Sequence, residues 1–287
     1  MSYQLDPNGS YMMPTHFNHK MDQERMARFK GIAPDEGIKI GTTADGVIAV
    51  TTSFLTEKEH LEALLPAGKG LELRGEPVLS VTSVYQSHVA WLAGRGYNLI
   101  VVNFPVSFNG KKDKATGVFN PVVWENMYEP IASGRERLGW SKIYSEIPPL
   151  TVYDGTAHCV ASWYGFKFMD QTITNLKQLT EDEIKERTAN PPQSDGSMHY
   201  KYIGKTGVPG EADADYITLS TNKGNPATIE EMWVGDGNIE FHPAKWEDMP
   251  TMYHIVNALA AMPVKKIVGA VMVKNSGGSM GPTVIIE

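Results

Sequence analysis

The chain has 287 residues, of which 41% are hydrophobic, 21% charged and 9% aromatic, the composition of a folded globular protein rather than a disordered or rod-like one. Lys and Arg number 26 against 33 Asp and Glu, a formal charge of −7, so the positive surface that a phosphate backbone requires is not expected, and nucleic acid is excluded as a partner. One cysteine, Cys159, rules out an intrachain disulfide and a thiolate metal cluster. Met1–Asn8 lacks the basic-then-apolar order of a signal peptide. The longest apolar stretches, 98–106 and 256–264, fall far short of the roughly 20 residues that span a bilayer. A soluble, cytoplasmic protein with no membrane partner is expected.

In chain order, residues 1–36 read as an arm rich in Met, His, Asn and charge, and a single domain is expected over 37–287. Val47–Ser53 is β-branched and predicts a strand. Thr56-Glu57-Lys58-Glu59 has the spacing of a capping box, with Leu61, Leu64 and Leu65 following at helical intervals and Pro66 closing the helix. Strands are predicted at Val78–Tyr85 and at Asn98–Ser107, the latter apolar enough for burial on both faces. Thr151–Met169 is strand-like, with a turn at Asp154-Gly155, and Thr180-Glu181-Asp182-Glu183 is a second capping box. Asn190–Gly210 reads as a loop or hairpin, Tyr216–Leu219 and Thr228–Val234 as strands, Pro250–Ala261 as a helix and Lys266–Val273 as a last strand. Strands dominate and do not alternate regularly with helices, which argues against a βαβ architecture.

Most candidate chemistry dissolves on inspection. Gly94-Arg95-Gly96 and Gly277-Gly278 lack the strand–helix context of a phosphate-binding loop and read as turns. His16 and His19 share a possible helix face, but no third metal ligand accompanies them. His158 and Cys159 are neighbours in strand-like sequence and point to opposite faces, so Cys159 reads as a buried structural residue. Lys142, flanked by Trp140 and Ile143, has two readings: a lysine snorkelling from an apolar surface, or a desolvated amine able to attack a carbonyl.

Three stretches in the chain resemble the acetoacetate decarboxylase superfamily. These are Pro105-Val106-Ser107-Phe108-Asn109-Gly110, Glu129-Pro130-Ile131-Ala132 with Gly134-Arg135-Glu136, and, less closely, Met262-Pro263-Val264-Lys265-Lys266-Ile267-Val268. In that family Gly-Arg-Glu is followed, after five residues, by a Lys-Lys pair whose first member forms a Schiff base. The same count from Glu136 reaches Lys142. Arg137-Leu138-Gly139-Trp140-Ser141-Lys142 can also be slid onto a segment just after the pair, but only with a gap.

The resemblance implies an α+β fold, mainly antiparallel β, with a closed or barrel-like sheet around a pocket and a few peripheral helices, working as a homo-oligomer without metal or cofactor. It also marks departures. The second lysine of the pair, the cation that activates the family's nucleophile, is Ile143 here. The family's arginine falls near Val47, and its two pocket glutamates near Thr82 and Leu99, so a carboxylate clamp and proton-managing carboxylates are expected to be missing. What the resemblance then implies is a pyruvate aldolase-dehydratase rather than an efficient decarboxylase: a small 2-oxo acid held on Lys142, an aldehyde as second substrate, and Tyr253 as a candidate proton shuttle. Tyr253 also reads as an ordinary half-buried tyrosine. Gln86, on the same strand parity as Thr82, is a candidate for the pocket face. Arg135 and Glu136 are expected to brace the loop as an ion pair, with Arg135 in a position to tune the lysine. Decarboxylation of a 3-oxo acid and non-catalytic binding of a small carbonyl ligand are the alternative readings.

Overall fold

The computed structural model describes residues 46–287. The expected arm, its boundary with the domain, and His16 and His19 lie outside the described residues. Fourteen strands form one curved, mainly antiparallel sheet. They are β1 (Val47–Leu55), β2 (Leu71–Leu73), β3 (Val78–Gln86), β4 (Tyr97–Asn109), β5 (Lys114–Glu125), β6 (Lys142–Tyr144), β7 (Thr151–Tyr153), β8 (Thr156–Trp163), β9 (Phe166–Gln178), β10 (Gly196–Gly204), β11 (Ala212–Thr221), β12 (Ala227–Phe241), β13 (Lys266–Gly277) and β14 (Thr283–Ile286). Their order is β14-β11-β10-β5-β4-β3-β1-β13-β12-β9-β8-β7, with β2 added to β4 and β6 added to β5. Four short helices decorate the sheet: α1 (Lys58–Glu62), α2 (Tyr128–Ser133), α3 (Glu181–Thr188) and α4 (Tyr253–Ala260).

The sheet curves around a core that draws on both of its halves. Phe54, Leu79, Ile100, Phe104, Trp124, Phe168, Met198, Ile217 and Phe241 belong to one buried cluster although their strands lie far apart in the sheet order. Period-2 alternation accounts for this: β4 buries every second residue from Ile100 onward and leaves those between half covered, so only one of its faces is buried throughout. Gln171 on β9 crosses the interior to the other half of the sheet. Its Oε1 accepts from Ser83 Oγ at 2.6 Å, and its Nε2 donates to Val50 O, Thr52 Oγ1 and Val81 O at 3.1–3.2 Å.

Of the two capping boxes, one forms. Thr180 and Glu183 exchange both bonds at the start of α3. Thr56, by contrast, is buried at the end of β1, its N–H donating to Pro77 O at 3.0 Å and its hydroxyl unpartnered, and α1 starts two residues later behind Glu57. Cys159 is buried while His158 is exposed and pairs with Asp170, as strand alternation requires. Burial pushes the Cys159 thiol up to about 11, far from a reactive thiolate.

Candidate active site

The register of four neighbouring strands assembles the site. Gln86 on β3 faces Tyr97 on β4, Leu99 on β4 faces Glu125 on β5, and Val123, two residues before Glu125, faces Lys142 on β6. Residues directly opposite or two apart share a face. Gln86, Tyr97, Leu99, Glu125 and Lys142 therefore project together, on the face turned away from the main core, where α2 and the turn after it cover them. They line a cavity of about 140 Å³, with Trp91, Pro130, Ser133, Gly134, Trp140 and Met280 among its other walls.

The covering segment is shaped for this role. After α2 the chain makes a π-helical turn over Gly134–Leu138, ended by Gly139 in the left-handed region at φ 76°. The turn is pinned to β10 and β11: Lys201 Nζ donates to Glu136 O at 2.6 Å, and Thr218 Oγ1 to Leu138 O at 2.8 Å. Gly134 leaves room for the lysine stem, since a Cβ there would lie 2.6 Å from Lys142 Cδ.

Lys142 is buried, and its Nζ stands 2.8 Å from Glu125 Oε1 and donates to Pro130 O at 3.1 Å. The contact with Oε1 is one of charge rather than a well-directed hydrogen bond, and Oε2 has no hydrogen-bond partner among the described residues. The ring of Trp140 lies 4.9 Å from Nζ and stacks on His199 at 4.3 Å between centroids and 13° between planes. Burial raises the Glu125 carboxyl above its ordinary range, more than the neighbouring Lys142 lowers it. His199 is held neutral by burial and then by the charge of Lys142, its imidazole pushed down to about 3. The Tyr97 phenol is raised by burial and by Glu125 against a hydrogen bond from Gln86, so it stays a protonated donor. A buried amine thus shares a small, mostly closed space with a carboxyl group poised to take or give a proton and with a phenol.

The structure sorts the sequence candidates. Lys142, Gln86 and Leu99 come together in the cavity. Thr82 does not line it: it lies four residues before Gln86, about 13 Å along the strand, with its hydroxyl 3.0 Å from that of Thr51. Tyr253 opens α4, is 37% exposed and packs edge-on against His254, away from the cavity lining, so it is not placed as a shuttle. Ile143, next to Lys142 on β6, points to the opposite face and packs against the core beside Trp124, so it does not wall the amine. Arg135 braces the loop by donating from Nη1 to Lys142 O at 3.0 Å, and the described ion pairs do not include one with the exposed Glu136. The expectation that proton-managing carboxylates are missing is corrected by Glu125. Tyr97, Ser133 and Trp91 carry no local sequence signal either; the strand 114–125 follows the Asn109-Gly110 turn but lacks clean alternation, which hides the register that reveals Glu125.

Fold and site together define an α+β protein built around a buried lysine–carboxylate cavity. The family model for acetoacetate decarboxylase (ADC) matches residues 32–285, and the chain belongs to that family, whose members are enzymes. No curated protein matches it. Among solved structures, acetoacetate decarboxylase from Legionella pneumophila is 19% identical over 91% of this chain and 94% of its own, with a TM-score of 0.63. An acetoacetate decarboxylase-like enzyme from Sphingomonas wittichii is 15% identical over 84% and 91%, also at 0.63. The enduracididine biosynthesis enzyme MppR complexed with pyruvate is 15% identical over 84% and 89%, at 0.60. At these identities the likeness establishes the fold. Among the described residues, no helix is long and apolar enough to cross a membrane.

Proposed function

We propose that the protein is a Schiff-base-forming lyase of the aldolase-dehydratase type, joining a small 2-oxo acid such as pyruvate to an aldehyde. The observation that carries this reading is Glu125 at 2.8 Å from the Lys142 amine inside a small, mostly closed cavity. The cavity, about 140 Å³, is well below the roughly 300–1,000 Å³ of pockets for drug-sized ligands and suits a three- or four-carbon acid.

With its proton passed to Glu125, the Lys142 amine adds to the ketone carbon, and the carbinolamine hydroxyl leaves as water with the proton held by Glu125, giving the iminium and returning Glu125 to the carboxylate. Glu125 as carboxylate removes a proton from the adjacent carbon, and the enamine so formed attacks the aldehyde carbon, whose oxygen takes that proton back. A second proton removal at the same carbon and loss of the hydroxyl as water give a conjugated iminium. Hydrolysis frees a conjugated 2-oxo acid and regenerates the amine. Tyr97 and Gln86, cross-strand partners on the cavity wall, are the candidates to hold the substrate carboxylate, since no arginine lines the cavity among the described residues. The structural neighbour MppR, complexed with the condensation product of pyruvate and imidazole 4-carboxaldehyde, is a precedent for this reaction class on the same fold.

The test is borohydride reduction with pyruvate followed by peptide mapping. Lys142 is expected to carry the adduct, with no label on Lys111, Lys112 or Lys265 and none in Lys142→Ala. A label elsewhere, or rapid release of carbon dioxide from acetoacetate at turnovers on the order of 10 per second, would overturn the reading.

A further inference from the structure

A second cleft opens beside the lysine cavity. It has about 540 Å³ against 140 Å³ for the inner chamber, and it is lined by hydroxyl and amide side chains, Ser197, Ser220, Thr221, Asn222, Asn225 and Ser279, together with glycines and Pro226. Among the described residues, no charged side chain contributes to its lining. Trp140 and Met280 line both spaces and so form the partition between them. The Trp140 indole is fixed in that position from two sides: His199 stacks on its ring, and its Nε1 donates to Ser220 Oγ at 3.0 Å, which in turn lies 2.9 Å from Thr283 Oγ1. Met280, 48% exposed on the glycine-rich segment after β13, forms the other half of the partition with an unbranched, flexible side chain.

We infer that this outer cleft is the binding site for the aldehyde substrate, and that it selects an uncharged aldehyde bearing hydroxyl or amide groups. The assignment rests on the aldolase-dehydratase reading above. A two-substrate condensation needs one reactant on the lysine and a second presented to it from outside. The inner chamber has room for a small oxo acid, whereas the outer cleft has room for a larger partner. The aldehyde carbon would pass between Trp140 and Met280, and its remaining chain would stay among the neutral polar groups. A charged chain would lose water there without meeting an opposite charge, and a wholly apolar one would cover the Ser197 hydroxyl and the Asn225 amide without pairing them, the other cleft hydroxyls and amides being bonded within the protein.

The experiment couples pyruvate to three aldehydes in parallel: glyceraldehyde, glyoxylate and benzaldehyde. Glyceraldehyde is expected to be favoured in kcat/KM over the other two by about tenfold, the worth of one well-made hydrogen bond. Asn225, exposed in the cleft, is the residue to vary. Asn225→Leu is expected to raise KM for glyceraldehyde by roughly five- to tenfold while borohydride trapping of pyruvate on Lys142 proceeds as before. Equal or absent turnover of the three aldehydes, or an unmoved KM in Asn225→Leu, would overturn the cleft assignment while the pyruvate adduct kept the proposed function standing. Absence of the adduct in the unaltered protein would instead overturn the proposed function, and this inference with it.

Discussion

A methyl group at position 134 would stand 2.6 Å from Cδ, 2.7 Å from Cε and 2.9 Å from Nζ of Lys142. The lysine end is flexible, so Gly134→Ala is expected to cost only about 1 kcal/mol in stability, at the low end for overpacking. The amine, however, must move off its line to Glu125, and misplacement by an ångström costs on the order of a hundredfold in rate. Pyruvate trapping should therefore slow far more than thermal unfolding shifts, and a variant that trapped pyruvate normally would show that the amine's position is not set by this contact. Glu125 gives the matching chemical test. Because burial raises its carboxyl, the ionised base accumulates only above the ordinary carboxylate range, and enamine formation should rise with pH through that raised value. Deuterium uptake at C3 of pyruvate reports enamine formation directly. Glu125→Gln is expected to abolish the rising limb and slow uptake by roughly 10²–10⁴-fold, with Lys142 trapped by borohydride more slowly because its amine loses the group that takes its proton. Unchanged uptake would remove Glu125 from the proton transfers.

At the scale of the element, β10 carries a stability signature. His199 has its imidazole pushed down to about 3, whereas an unfolded chain titrates it near the ordinary value of roughly 6.5. Between those two values the unfolded chain binds the proton and the folded one does not, so stability falls as pH falls through that window, by up to about 1.4 kcal/mol per unit. His199→Gln should flatten this loss, measured as denaturant midpoints at pH 7, 5 and 4. An unchanged slope would mean that other groups govern acid unfolding. The elements also show what the sequence could disclose. The strands at 47–53, 78–85 and 266–273 and the α3 capping box were readable because β-branched runs and a Thr–Glu pair act locally. The Gly-Arg-Glu spacing led to Lys142 through the family resemblance, not through any local physical signal. Glu125 was not readable. Its role depends on Leu99 standing opposite it and Lys142 two residues over on a parallel neighbour, and both relations are set by tertiary register. Ile143 failed as a neighbour of the amine for the same reason, since adjacency in a strand means opposite faces.

Across the whole molecule, Gln171 on β9 reaches β1 and β3, which the strand order holds three and four places away. Gln171→Leu would leave Ser83, Thr52 and two carbonyls short of a partner in a dry interior, and is expected to cost about 1–3 kcal/mol, read from the denaturant midpoint. A change below a few tenths would mean that the crossing contributes nothing to holding the sheet curved.

The site's position on the face turned from the core has a consequence for how such a protein can change over time. Along β4 and β5, residues that hold the fold and residues that set the chemistry alternate, so the two sets of side chains can be altered almost independently. The resemblance puts the family's glutamate near Leu99, and in this chain a carboxylate stands directly across from that position at Glu125. A step sideways between paired strands keeps such a group on the same face of the sheet. The face therefore acts as an exchangeable board on a fixed frame: descent can redistribute reactive groups among neighbouring positions, and kinship in fold then carries little information about which position holds them.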